Sequence, residues 1–192
     1  MAMKKRVKKV YKSHVIYEGR FLRFIKKDRW EFIERNNCSA IVIIVAVTKE
    51  NKVLFVEQYR PPVGKKVIEF PAGLINDECV SKKESILEGA RRELLEERGY
   101  AAKRIKKLIS GPVSGGSSAD IVTMLMAFDL EKKGKGGGVP DEGITVHEVL
   151  LDKAEGWLKD MEKKGRLVEP KIYSGLYFLH KYNERFVDKN SD

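Results

Sequence analysis

Apolar residues in the first half of the chain alternate or run together in short blocks, and later they recur at helical spacing. Residues 1–36 contain three stretches that hint at alternation, HVIYEG, RFLRFIKKDRW and EFIER, and predict a basic, strand-rich segment. The run AIVIIVAV at 40–47 is continuous and β-branched, as expected of a strand covered on both faces. KENK at 49–52 supplies a hairpin turn into a second strand, KVLFVEQYR. Pro61, Pro62 and Gly64 break that strand before KVIEFPAG. From Ser81 to Arg98 the spacing is helical, with Gly99 as its stop. Strands are predicted near 104–110 and 120–130 on either side of GPVSGGSSAD, and another at 144–151. Helices near 153–164 and 169–186, separated by Gly165 and Pro170, complete the pattern. EKKGKGGGVPDEG reads as a loop. This order of elements predicts an α/β (α+β) architecture with a mixed sheet.

The first helix carries an anomaly. At 100° per residue, Ala90, Leu94 and Leu87 fall within about 100° of Ile86 and define the stripe that should face the core. Glu93 and Glu97 fall about 20° to either side of Ile86, in the middle of that stripe, and Glu96 lies beside them. Glu88, Arg91 and Arg98 point elsewhere. Like charges four residues apart cost an isolated helix a few tenths of a kcal/mol, and a partly buried carboxylate cluster needs protonation or a cation. Three hard oxygen donors grouped in this way suit Mg²⁺ or Mn²⁺. The helix therefore reads as a metal platform.

Composition narrows the setting. A chain of 192 residues, 42% hydrophobic and 34% charged, is enough for one well-cored domain and excludes overall disorder. The run at 40–47 is too short to cross a bilayer, and the basic start MAMKKRVKKVYK has no apolar core behind it, so neither a membrane span nor a secretory signal is expected. The two cysteines, Cys38 and Cys79, give no disulfide framework or zinc pattern and fit a reducing, cytoplasmic setting. A net charge of +10 favours encounter with phosphorylated ligands or nucleic acid. The basic residues are scattered and accompany no nucleic-acid motif, so nucleic acid is not the expected partner.

Glu84 followed, after seven residues, by RELLEERGY at 92–100 resembles the Nudix box, and every demanded position from Glu84 onward is filled. The glycine of the pattern would fall at 78, where Glu78 stands; Gly73 is similar to that glycine, displaced by five extra loop residues. On the wheel Glu84 lies on the far side, so it could assist only from a frayed or bent helix start. EQYRPPVGKKVIEFPAGL at 57–74, with DRWEFIER, GGGVPDEGITVHEV and EPKIYSGLYFL, resembles the ADP-ribose pyrophosphatase (ADP-sugar diphosphatase) branch of the family.

The resemblance implies a mixed sheet sandwiched between helices in a Nudix domain over 37–186. It also implies an N-terminal β segment at 1–36 for dimerisation and base recognition, and a tail at 187–192. It implies Mg²⁺-dependent hydrolysis (Mn²⁺ as substitute) of ADP-ribose or a related ADP-sugar to AMP and sugar phosphate. Glu93 and Glu97 would be the principal metal ligands, with Glu96, Glu84 and the Ala72 carbonyl assisting and Arg92 orienting the carboxylates. Glu142 would be the general base, with Asp141 and Glu148 as alternatives. Trp30 and Glu31 would recognise adenine in a homodimer whose N-terminal strands exchange, and Arg60 and Leu74 would contact substrate. Two rival readings stand beside this one: another nucleoside diphosphate sugar such as UDP-glucose or GDP-mannose, and a non-catalytic nucleotide or RNA binder.

Overall fold

The computed structural model describes residues 12–36, 38–76, 84–134 and 143–187. Strands β1 (Ser13–Glu18), β2 (Leu22–Lys27) and β3 (Trp30–Arg35) form a small antiparallel sheet, as the alternation predicts. The chain then continues through β4 (Ala40–Thr48), β5 (Lys52–Arg60), β6 (Lys65–Glu69), β7 (Ala72–Ile75) and helix α1 (Ile86–Arg98). After these come β8 (Tyr100–Pro112), β9 (Ile121–Lys132), β10 (Thr145–Leu150), α2 (Ala154–Lys163), β11 (Leu167–Val168) and α3 (Lys171–Val187). The main sheet runs β11-β6-β5-β4-β9-β8, with β10 also paired to β5 and β7 to β4. The pairs β4–β9 and β11–β6 are parallel and the others antiparallel, so the sheet is mixed.

Strand β4 shows why its sequence is unbroken by polar residues. Val42, Ile44 and Ala46 pack with Leu54, Leu125 and Ala127 against Ala90 and Leu94 of α1. Ile43 and Val45 point the other way and pack with Phe55 and Phe70 against Leu158 of α2 and Ile172, Leu176 and Leu179 of α3. Helices therefore cover both faces of the sheet, and each fully buried aliphatic side chain contributes about 1.5–3 kcal/mol. Edge strand β8 has no such buried run and leaves Lys103, Arg104, Lys106 and Lys107 exposed, a pattern that blunts pairing with other chains.

The small sheet is tied to the main one through the glycine- and serine-rich connection between β8 and β9. Ile33 N donates to the Ser117 carbonyl and Ala119 N to the Ile33 carbonyl, both at 2.9 Å. The described part of this connection works as a strap. Among the described residues, no helix is long and apolar enough to cross a membrane.

Candidate active site

Helix α1 starts at Ile86, five residues after the predicted Ser81, because Ser85 caps it. The Ser85 hydroxyl accepts from Glu88 N, and the Glu88 carboxylate accepts from Ser85 N, a reciprocal capping box. Gly99 ends the helix in the left-handed conformation with φ 71°, where a side chain would be strained.

This early cap settles the position of Glu84. It lies ahead of the helix, where Asn76 holds it from both sides: the Asn76 Oδ1 accepts from Glu84 N at 2.6 Å and its Nδ2 donates to the Glu84 carbonyl at 3.2 Å. The Glu84 carboxylate then reaches back to Arg92, whose Nη2 donates at 2.8 Å. Arg92 also pairs with Glu93 at 3.1 Å and Glu96 at 3.4 Å, so one guanidinium gathers three carboxylates. The Arg92 hydrogen bond holds the Glu84 carboxyl below the usual carboxylate range, and Glu84 in return raises the guanidinium.

The wheel places Glu93 on the buried face, and it is only 6% exposed, between Ala90 and Leu94 at 0%. Glu96 projects outward. Glu97 follows Glu93 by one helical turn, and its side chain lies outside the described residues. Two expectations for this helix fail. Leu87 stands exposed, so the buried stripe is narrower than the apolar pattern suggests. Arg98, expected to point away, is 2% exposed, because its long side chain turns from the last helical turn into the neighbouring cavity.

Strand β7 faces this helix at very short range. A Cβ added at Gly73 would lie 2.2 Å from the Glu93 carboxyl carbon, so Glu93 occupies the space a side chain would need. Ala72, Gly73, Leu74, Glu93, Arg60 and Arg98 line one cavity of about 350 Å³, together with Arg35 of β3 and Gln58 of β5. Five of the residues singled out from the sequence thus converge: Ala72, Leu74, Glu93 and Arg60 as site residues, and Gly73 as the glycine of the box. Trp30 and Glu31 do not line this cavity. Trp30 is half exposed on β3 and Glu31 pairs with Lys26 at 3.4 Å. Asp141 and Glu142 lie outside the described residues, as do the residues 77–83 that hold most of the extra loop.

A larger groove, about 590 Å³, runs between α3 and strands β8 and β9. Its walls include Ile109, Val122, Met124 and Phe178 and carry no carboxylate, so it suits neither a metal nor paired phosphates.

The alternative base Glu148 sits in a different environment. Tyr100 Oη donates to it, Lys132 pairs with it at 2.8 Å and Lys52 at 3.5 Å. Lys132 first, and Tyr100 second, lower its pKa to about 2. Such an acid is a weak proton acceptor at neutral pH, which argues against Glu148 as the base. Because the folded-state value lies below the ordinary carboxylate value of 4.5, the cluster's contribution to stability is complete above that value. It is lost as the pH falls towards about 2. Melting temperature measured against pH is expected to fall less steeply across that window in Glu148→Gln than in the unaltered protein. Parallel curves would contradict this account.

Sequence reasoning missed three residues here. Asn76 adopts a positive φ of 52° at the end of β7, a position asparagine tolerates, and only the fold shows that its amide clamps Glu84. Arg98 looked like a surface residue. Glu69, 8% exposed on β6, accepts from Arg60 Nε and Gln58 Nε2; its acid within the apolar KVIEF was the available signal.

A profile of the NUDIX domain matches residues 39–170, well over half of the chain. The chain is 38% identical over 120 residues to the methanol dehydrogenase activator of Bacillus methanolicus, covering 62% of each protein. It is 36% identical over 114 residues to the ADP-ribose pyrophosphatase of Bacillus subtilis, covering 59% of each, so it spans about three fifths of these two relatives. A GDP-mannose pyrophosphatase of Enterobacter is 28% identical over 162 residues, 78% of this chain and 76% of that one. A crystal structure of an ADP compounds hydrolase superposes with a TM-score of 0.71 over 91% of this chain and 94% of the other, at 18% identity, a likeness of fold. The capped helix with its buried glutamate, the glycine strand that admits it and the matched domain coincide: the chain belongs to the Nudix family.

Proposed function

We propose that this chain is a divalent-metal-dependent hydrolase of nucleoside diphosphate sugars, with ADP-ribose as the favoured substrate and AMP and ribose 5-phosphate as products. The carrying observation is the cavity in which Arg35, Arg60 and Arg98 stand with the buried carboxylate of Glu93. Guanidinium groups match phosphate oxygens in geometry and charge, and an acid there makes sense where a cation accompanies a diphosphate.

Among the described residues, no three acidic, histidine or cysteine side chains form a ready cation cage. The donor chemistry nonetheless fits a hard ion. Glu93 offers a desolvated carboxylate in a cradle that a Cβ at Gly73 would fill. Glu93, Glu96, Glu97 and the Ala72 carbonyl would hold Mg²⁺ or Mn²⁺, with Glu84 acting through Arg92. When bound, such an ion neutralises diphosphate charge and polarises phosphorus. The chain's own groups do the rest. The arginines bind and orient the diphosphate, Arg92 fixes the acids, and Glu142 takes the proton from the attacking water.

A product assay over ADP-ribose, GDP-mannose and UDP-glucose, with and without Mg²⁺, tests the reading. Turnover of ADP-ribose only with metal is expected, and absence of turnover for the whole panel would overturn it. GDP-mannose is the second substrate to watch, given the pyrophosphatase relatives named for it. Glu142→Gln is expected to lower kcat by about 10²–10⁴-fold with KM little changed; an unchanged kcat moves the base elsewhere. Trp30→Ala is expected to raise KM for ADP-ribose roughly tenfold, the scale of one lost base stack, and to leave GDP-mannose less affected. The same reading takes the protein as a cytoplasmic homodimer, in which exposed Val15, Ile16 and Tyr17 of the small sheet offer contact surface.

A further inference from the structure

Arg60 ends β5, where the chain turns through Pro61–Val63 and Gly64 before β6 pairs back, Arg60 opposite Lys65. Its side chain is 45% exposed, and a long cation at a strand end would ordinarily sample many rotamers. Here it does not stand alone. Val56, Gln58 and Arg60 share one face of β5, and Glu69 stands opposite Val56 on that face. The carboxylate of Glu69, with 11% side-chain exposure, accepts through the same Oε2 from Arg60 Nε and from Gln58 Nε2, each at 2.9 Å. A charge-assisted bond to Nε fixes the plane of a guanidinium while leaving the Nη groups for a ligand.

We propose that Glu69 is a positioning residue that acts through Arg60: it holds the guanidinium at the cavity wall so that its two Nη groups meet phosphate oxygens of a nucleoside diphosphate. The proposal deepens the functional reading above and rests on it. Burial of the acid gives the device its rigidity. A carboxylate this far from water is held where its partners are, and Gln58 keeps its second bond in place while Arg60 engages a ligand. Glu57, the neighbouring buried acid on β5, serves a different set of partners, Lys66, His147 and Arg166, and does not compete for Arg60.

The test is a double-substitution cycle on the full chain, read by calorimetric binding of ADP and by KM and kcat for the best substrate of the panel. Glu69→Ala is expected to weaken ADP binding and raise KM about tenfold, with kcat within about twofold. Arg60→Ala is expected to do the same, and adding Glu69→Ala to it to cost no more than about twofold further. Glu69→Gln, whose amide oxygen still accepts from Nε, is expected to recover most of the loss. Should Glu69→Ala fail to fold, Glu69→Asp, one methylene shorter, carries the cycle. Wild-type KM in Glu69→Ala (or in Glu69→Asp where that variant replaces it), or an equal loss when Arg60 is already gone, overturns the proposal. Turnover by the unaltered protein judges the substrate reading separately, since ADP binding is measured without hydrolysis.

Discussion

Glu93→Gln is expected to fold normally and to lose about three orders of magnitude in kcat. The substitution keeps shape and hydrogen-bonding capacity and removes one charge. Little in the packing depends on that charge, because Arg92 retains Glu84 at 2.8 Å and Glu96 at 3.4 Å. Removing a carboxylate from a 6% exposed site also relieves its desolvation, so melting temperature should stay within a few degrees. Catalysis stands differently. An acid that anchors a divalent ion beside a diphosphate supports several kcal/mol of transition-state charge stabilisation, and each 1.36 kcal/mol is about tenfold in rate. Steady-state kinetics across a Mg²⁺ titration separates the outcomes. A variant within tenfold of normal kcat at saturating Mg²⁺ would show that Glu93 is a structural acid and would remove it from the metal site.

Gly73→Ala makes the opposite demand, adding one methyl group where none fits. The new Cβ would lie 2.2 Å from the Glu93 carboxyl carbon, 2.3 Å from its Cγ and 2.6 Å from Oε1, well inside any tolerated contact. Strand β7 cannot retreat, because it is paired with β4 from Ala40 to Ile43. Glu93 must swing away and leave its pairing with Arg92. Overpacking of this kind costs about 1–3 kcal/mol in stability, and displacing the acid is expected to cost about 10²-fold or more in kcat/KM. The combined readout is a lowered melting temperature with activity that extra Mg²⁺ does not restore. Normal kinetics in this variant would mean that the strand and helix stand farther apart than described.

The features legible in the sequence were those set by local pattern. Strand β4 announced itself because both of its faces are buried, leaving no polar residue to interrupt the run. Glu93 was legible because an acid at the centre of an apolar stripe has few innocent explanations, and it is buried there. Arg60 and Ala72 came from motif resemblance, and the fold brings them into one cavity. What remained hidden depends on capping, side-chain reach and turn geometry that periodicity does not weigh. The helix start shifted to Ser85 because its hydroxyl meets Glu88, an arrangement the wheel does not weigh. Arg98 was assigned outward by angle alone, whereas a side chain of its length can reach round the helix flank. Asn76 and Glu69 act on partners eight and nine residues away through strand and turn geometry that spacing does not encode.

The parallel pairing at the middle of the main sheet sets a kinetic condition on how this chain assembles. Ile41 of β4 pairs with Val122 of β9, so the central seam closes only after the 80 residues between them have been gathered. The hairpins β4–β5 and β8–β9 join near neighbours and can form first. Closing this seam is therefore expected to be the slow step of folding, and until it closes the apolar faces of β4 stand open to self-association.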